Sequence, residues 1–166
     1  IQALKAASLT GIPMTGLKSS IKHGVDYLKM SQKGDGNFGY RANTGGGWNL
    51  TGLGVFGIQM GGKGSSSNVR KGIDALLDRK LNYNAGNPSL YGWYYGTMAA
   101  FQKGGSSWKK WNAMFQDQLL VNQADDGSWN PEAGDWSGKK VPGDIFRTCL
   151  CILMLEVYYR YLPASG

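Results

Sequence analysis

The sequence predicts an all-α protein made of antiparallel helix pairs stacked in two layers. Three observations predict it. A pattern recurs at Gln32, Lys80 and Gln123, 48 and 43 residues apart, and self-similarity at such a period marks a repeat architecture. Amphipathic stretches alternate with stretches that are almost uncharged and rich in Gly, Leu and aromatics. Helix-stopping residues follow the apolar stretches: Gly61-Gly62, Gly104-Gly105 and Pro163.

The elements follow in order. Residues 1–13 read as the tail of a preceding inner helix, Ile1 to Leu9, stopped before Ile12-Pro13. Helix pairs are then expected over 15–62, 66–105 and 106–163. The first pair opens with a helix carrying Lys22, His23, Gly24, Val25, Asp26, Tyr27 and Leu28 and ending at Gln32. The turn Gly34-Asp35-Gly36-Asn37-Phe38 follows, then a flexible connection at Gly45-Gly46-Gly47, then an apolar helix from Asn49 to Met60. In the second pair, Val69, Ile73, Leu76 and Leu77 form the stripe of an amphipathic helix. Ser67 or Asn68 is its expected cap, and Leu90 to Gln102 is its apolar partner. In the third, Ser106 and Ser107 precede Trp108, Trp111, Phe115 and Leu119 at helical spacing. The turn Asp125-Asp126-Gly127-Ser128-Trp129 follows, and then an apolar helix over roughly Ile145 to Tyr161.

A helix apolar on all sides is buried, and one with a polar stripe faces water. The apolar helices therefore form an inner layer and the striped ones an outer layer. Gly52, Gly54, Gly57, Gly96, Ala99 and Ala100 on the inner helices allow close approach. Each glycine costs about 1 kcal/mol of helix propensity, so packing must offset it.

Composition bounds the rest. At 166 residues and 42% hydrophobic content the chain can bury one core. No apolar run reaches the roughly 18 residues of a membrane span; the longest, Thr148 to Tyr159, is interrupted by Glu156. The net charge of +7 is dispersed with no basic arm, so we expect a solvated basic surface and not a nucleic-acid partner. Cys149 and Cys151 point to different faces of one helix and read as small buried residues that do not bridge. With His23 the only histidine, no metal site and no cofactor are expected. The chain opens at Ile1, which leads us to expect a cut from a longer protein, and its compartment is left open.

The turn Gln-x-x-Asp-Gly-x-aromatic occurs at Gln32 to Phe38 and again at Gln123 to Trp129. It resembles the QW repeat of squalene-hopene cyclases and related terpenoid cyclases. The first copy matches at Gly24, Tyr27, Leu28, Gln32, Gly36 and Phe38, with Phe for Trp. The second keeps Lys71, Gly72 and Leu76 but has Lys80 for Gln, and the third keeps Leu119, Gln123, Gly127 and Trp129. The wider chain, including Leu50 to Gly54, Trp93 to Thr97, Trp108 to Asn112 and Leu155 to Pro163, is similar to bacterial squalene-cyclase-like (prenyltransferase/squalene oxidase repeat) proteins of uncharacterised function. The resemblance implies an α/α toroid, with this chain as about three to three and a half repeats from the C-terminal half of an (α/α)6 ring. It also implies that Gln32, Gly36, Phe38, Gln123, Gly127 and Trp129 are structural: the Gln caps a neighbouring outer helix and the aromatic stacks on it. A half ring leaves an apolar edge through which two copies can associate.

The catalytic signatures of that superfamily are missing. Hopene-type cyclases need Asp-x-Asp-Asp, and Asp125-Asp126 lies instead in a turn, where Asp is a turn former. Prenyltransferase β subunits need Asp, Cys and His on zinc, and His23 lies far in repeat register from Cys149. Complement-type thioester domains need Cys-Gly-Glu-Gln, which Cys149-Leu150-Cys151-Ile152 is not. Gly57, Gly62 and Lys63 have phosphate-loop spacing, but Gly64 replaces the Ser or Thr and the stretch ends a helix. No catalytic residue is assigned.

What remains is a set of aromatics and charges at the starts of inner helices: Trp48; Tyr91, Trp93, Tyr94 and Tyr95; Asp144 and Arg147; and Trp136 in the loop before the last two. On the rim of a ring these would line a cavity. The expected function is a non-catalytic squalene-cyclase-like repeat domain of a larger bacterial protein, binding an apolar, isoprenoid-like or glycan ligand, or a protein. One alternative is a terpenoid cyclase or prenyltransferase with catalytic residues elsewhere in a longer chain. The other is a carbohydrate-active toroid using Glu132, Asp135 or Asp144. A buried Arg147 needs a partner, for which Asp144 and Glu156 are the candidates.

Overall fold

The computed structural model describes residues 1–85, 89–129 and 143–160, with the backbone alone for Asp144 and Arg160. The chain is mostly helical. Its helices are α1 (Gln2–Leu9), α2 (Leu17–Ser31), α3 (Trp48–Met60), α4 (Ser67–Leu77), α5 (Leu90–Lys103), α6 (Gly105–Leu120), α7 (Gly143–Leu155) and α8 (Val157–Arg160). A short ribbon of β1 (Phe38–Gly39) and β2 (Gly46–Gly47) lies between α2 and α3.

Burial sorts the helices into two kinds. α3 buries Trp48, Thr51, Gly52 and the run Gly54 to Ile58, whereas α2 buries only Val25 and Ser31. α3, α5 and α7 pack in series. α2 and α4 lie against α3, α6 lies against α5 and α4, and α1 rests on α2 and α3. α3 and α5 run parallel. Asn49 faces Gly92, Gly52 faces Gly96, and Gln59 Nε2 donates to the Ala99 carbonyl at 3.0 Å. Apolar helices in parallel register, with amphipathic helices packed against them, follow the alternation in composition.

The two Gln-x-x-Asp-Gly turns are duplicates bond for bond. Lys33 N donates to Asn37 O at 2.8 Å, and Ala124 N to Ser128 O at 2.8 Å. The next N–H in each turn is held by an aspartate: Asn37 by Asp35 at 3.0 Å, Ser128 by Asp126 at 2.9 Å. Side-chain bonds from Asn37 Nδ2 to Asp35 and from Ser128 Oγ to Asp126, and then these backbone bonds, hold both exposed carboxyls below the usual aspartate range. Gly36 and Gly127 adopt φ of 89° and 84°, a left-handed conformation that favours glycine. Phe38 and Trp129 are buried, and their N–H groups donate to the hydroxyls of Thr51 and Thr148 on the following inner helix, at 3.3 and 3.2 Å.

The Gln side chains differ. Gln32 Nε2 donates to Gly36 O at 3.1 Å and Asn68 O at 2.9 Å, and its Oε1 accepts from Asn68 Nδ2 at 2.7 Å. It thus ties its own turn to the first turn of α4, through the Asn68 amide and carbonyl and not through orphan backbone N–H groups. Among the described residues, Gln123 Nε2 donates only to Gly127 O, at 3.0 Å. Gln32→Ala is therefore expected to cost about 1–2 kcal/mol, and Gln123→Ala to stay within about 0.5 kcal/mol. Urea denaturation of the two variants checks this; equal losses would mean the tie to α4 carries no energy.

Several sequence expectations are corrected. Ser66, not Ser67 or Asn68, caps α4, its hydroxyl accepting from Val69 N at 3.4 Å; Asn68 is taken by Gln32. Ser106 and Ser107 lie inside α6, because Gly104 at φ 68° already starts it. The last inner helix is interrupted at Glu156, which separates α7 from α8. Gly46-Gly47 is not a free connection but pairs with Phe38-Gly39; a Cβ on Gly46 would stand 3.2 Å from the Phe38 carbonyl carbon. Cys149 is exposed and only Cys151 is buried, since residues two apart on a helix cannot share one face.

Candidate functional site

The residues picked out at the inner-helix starts go to three different places. Trp48 and Trp93 come together at the starts of α3 and α5. They line a small pocket of about 120 Å³ with Asn49, Arg79, Lys80 and Ser89. Ser89 is the N-cap of α5, its hydroxyl accepting from Gly92 N at 3.4 Å. Gly47 caps α3 without a side chain. The Trp48 ring stacks on Trp111 of α6, with centroids 6.2 Å apart and planes at 22°, and the Arg79 guanidinium sits 5.4 Å from its centroid. Trp48 is 8% exposed, and its indole N–H is buried with no acceptor among the described residues.

Tyr91, Tyr94 and Tyr95 form a second group. Tyr95 meets both of the others edge-on at 4.9 Å, and Phe56 of α3 at 6.5 Å. Tyr95 and Phe56 also line an apolar pocket of about 310 Å³ with Tyr27, Leu28, Leu53 and Gly57, between α1, α2 and α3. The separation of Trp93 from Tyr95 is a matter of helix phase. Two residues span about 200° of an α-helix, so neighbours in the sequence open onto opposite sides.

Arg147 is the third place. It is 1% exposed, with its guanidinium 5.1 Å from the centroid of the buried Tyr83 ring. Tyr83 is itself held by its N–H donating to Gln118 Oε1 of α6 at 2.9 Å. Burial pushes the Tyr83 hydroxyl up, and Arg147 pulls it part of the way back. Arg147 therefore joins α7 to the α4–α5 connection inside the core. Among its candidate partners, Asp144 lies outside the described side chains, as do Trp136, Glu132 and Asp135. The carbohydrate-active alternative falls on those same positions.

One turn along α7, Cys151 has its thiol pushed up to about 12 by burial, against the smaller pull of Arg147. Two results are expected. At pH 8 the native protein takes up one equivalent of iodoacetamide, on Cys149, and the unfolded protein two; uptake of two by the native protein would contradict the burial of Cys151. Stability is also expected to fall at alkaline pH. The unfolded thiol ionises near 9 and the folded one near 12, so this contribution is complete below about pH 9 and declines as pH rises towards 12. Tyr83 acts in the same direction above 10. Thermal melts from pH 8 upwards measure it.

Sequence reasoning missed Arg79, Lys80, Ser89 and Phe56. The one signal was Lys80, which stands where the repeat has Gln. No family model, curated protein or solved structure matches the chain.

Proposed function

We propose that this chain is a non-catalytic squalene-cyclase-like repeat domain, part of an α/α toroid, that binds a short apolar ligand between its inner and outer layers. The observation that carries the reading is the pocket of about 310 Å³ lined by Leu28, Leu53, Phe56 and the rings of Tyr27 and Tyr95. It is at the small end of ordinary ligand sites, which run from about 300 to 1,000 Å³ and are mostly apolar. A short isoprenoid alcohol fits that description better than a glycan, which needs several convergent polar groups. The parallel inner helices and the duplicated turns support the toroid part of the reading.

Displacement of a neutral fluorophore by geraniol tests it. Saturable displacement is expected, weakened at least tenfold in Leu53→Glu with the melting temperature unchanged, because a charge in an apolar pocket costs more than the roughly 1.4 kcal/mol that a factor of ten represents. Leu53 is only half-buried, so the variant is expected to fold. No displacement by geraniol, or equal displacement in the variant, would remove the reading.

A further inference from the structure

The two duplicated turns sit in unequal surroundings, and the difference defines a surface. Around the first, Gly36 lies against α4: a Cβ there would stand 2.4 Å from the Lys71 carbonyl oxygen. Around the second, a Cβ on Gly127 would meet only the Gln123 amide, 3.9 Å away. Gln32 reaches Asn68, whereas Gln123 reaches nothing beyond its own turn among the described residues. The inner helices repeat the contrast. Thr51 and Thr148 hold the two turns in the same way, which places Ile145, Cys149 and Ile152 of α7 where α3 has Trp48, Gly52 and Val55. In α3 that face is buried, with Gly52 against Gly96 of α5 and Val55 against Gly72 of α4. In α7 it lies opposite the buried Leu150 and Met154 and is open: Ile145 is 61% exposed and Ile152 43%, against 0% for Val55. The series α3, α5, α7 therefore ends on a docking surface for one more outer helix.

We propose that a second copy of this chain docks there, head to tail, through its own α2. That helix is built like α4: Ser20 and Gly24 stand 48 residues before Asn68 and Gly72. Its start at Gly16 has no side-chain cap, and Ser20 is exposed. The notch at Gly24 holds Ile1 of α1, 3.0 Å from where a Cβ would stand, as Val55 fills the notch at Gly72. Helix α1 is a weak occupant. It buries none of its own residues and joins α2 through an exposed link with left-handed Gly11 and Gly16. Ile152 of one copy takes the notch from Ile1 of the next, and Gln123 reaches the Ser20 carbonyl and hydroxyl. Charge agrees with this pairing. The incoming turn carries Asp125 and Asp126, and the receiving helix carries Lys18 and Lys22 with no acid before Asp26. Two unlike surfaces that meet leave one of each free, so the contact propagates into a ring or a filament. Ile1 and Gln2 also line the apolar pocket, so assembly and ligand compete at that edge; the inference does not need the pocket to bind anything.

The test is analytical ultracentrifugation of the full chain without ligand. Concentration-dependent association beyond a dimer is expected. Ile152→Glu and Gly24→Glu are each expected to weaken it at least tenfold, since each puts a charge into the apolar contact. Both should melt like the parent, because Ile152 is exposed and only the Ile1 side chain lies within 4 Å of a Cβ on Gly24. If Gly24→Glu melts early, Ser20→Trp takes its place. Each variant keeps one sound edge, so an equimolar mixture of an α2-edge and an α7-edge variant is expected to form a dimer and stop there. A parent that stays monomeric to millimolar concentration overturns the proposal, and so does an Ile152→Glu variant that associates like the parent. A parent dimer that the mixture fails to restore means that two α7 edges pair with each other, and overturns it too.

Discussion

Replacing Trp111 by alanine is expected to lower the unfolding free energy by about 3–5 kcal/mol, among the largest effects a single substitution can have in this chain. Trp111 is fully buried on α6. Its indole N–H donates to Thr97 Oγ1 at 2.9 Å, and its ring lies where a Cβ on Gly96 of α5 would come within 2.5 Å of it. The ring therefore occupies a groove that glycine leaves open, and alanine at 111 leaves a cavity that neither helix can close. Thr97 keeps its own bond to the Trp93 carbonyl at 2.9 Å, so the loss comes mainly from packing. Trp111→Phe should fall between the parent and Trp111→Ala. Urea denaturation with an unchanged m-value is the measurement. A loss below about 1 kcal/mol would show that α6 does not sit on α5 in this way.

Gly52→Ala decides between two opposed effects. Alanine is the better helix former by about 1 kcal/mol, and in an exposed helix it would stabilise. Between α3 and α5 its Cβ would stand 2.3 Å from Gly96 N and 2.5 Å from Tyr95 C. Both are backbone atoms of α5, so no side chain can rotate away and the two inner helices must separate. Overpacking costs about 1–3 kcal/mol where side chains adjust; with backbone on the other side we expect a net loss of about 3 kcal/mol. Gly34→Ala is the control, because nothing lies within 4 Å of its added Cβ, and a change within about 0.5 kcal/mol is expected. A Gly52→Ala variant as stable as the parent would mean that α3 and α5 do not approach so closely.

Much of the fold was legible because its signals are local. The stripe of Val69, Ile73, Leu76 and Leu77 states which face of α4 is buried; the first three are buried and Leu77 is half-buried. The Asp-Gly turns specify themselves through bonds spanning two to four residues, which is why both copies have one geometry. Small residues on the inner helices announced a close approach, and Gly52 makes it. Errors fell where a neighbour from another repeat competes for a residue. Asn68 is a reasonable cap by propensity, but Gln32, 36 residues away, claims its side chain.

By itself the sequence determined the all-α class, the alternation of amphipathic and apolar helices and the duplicated turn, since each depends on periodicity or on bonds within a few residues. It also marked out the aromatic residues. Only the tertiary structure decided which of them meet. Trp93 and Tyr95 part because two residues turn a helix by about 200°, and Arg79 reaches Trp48 across 31 positions of sequence only because α4 packs beside α3. The phase of each helix about its axis is set by the partners it packs against, and no local pattern encodes that.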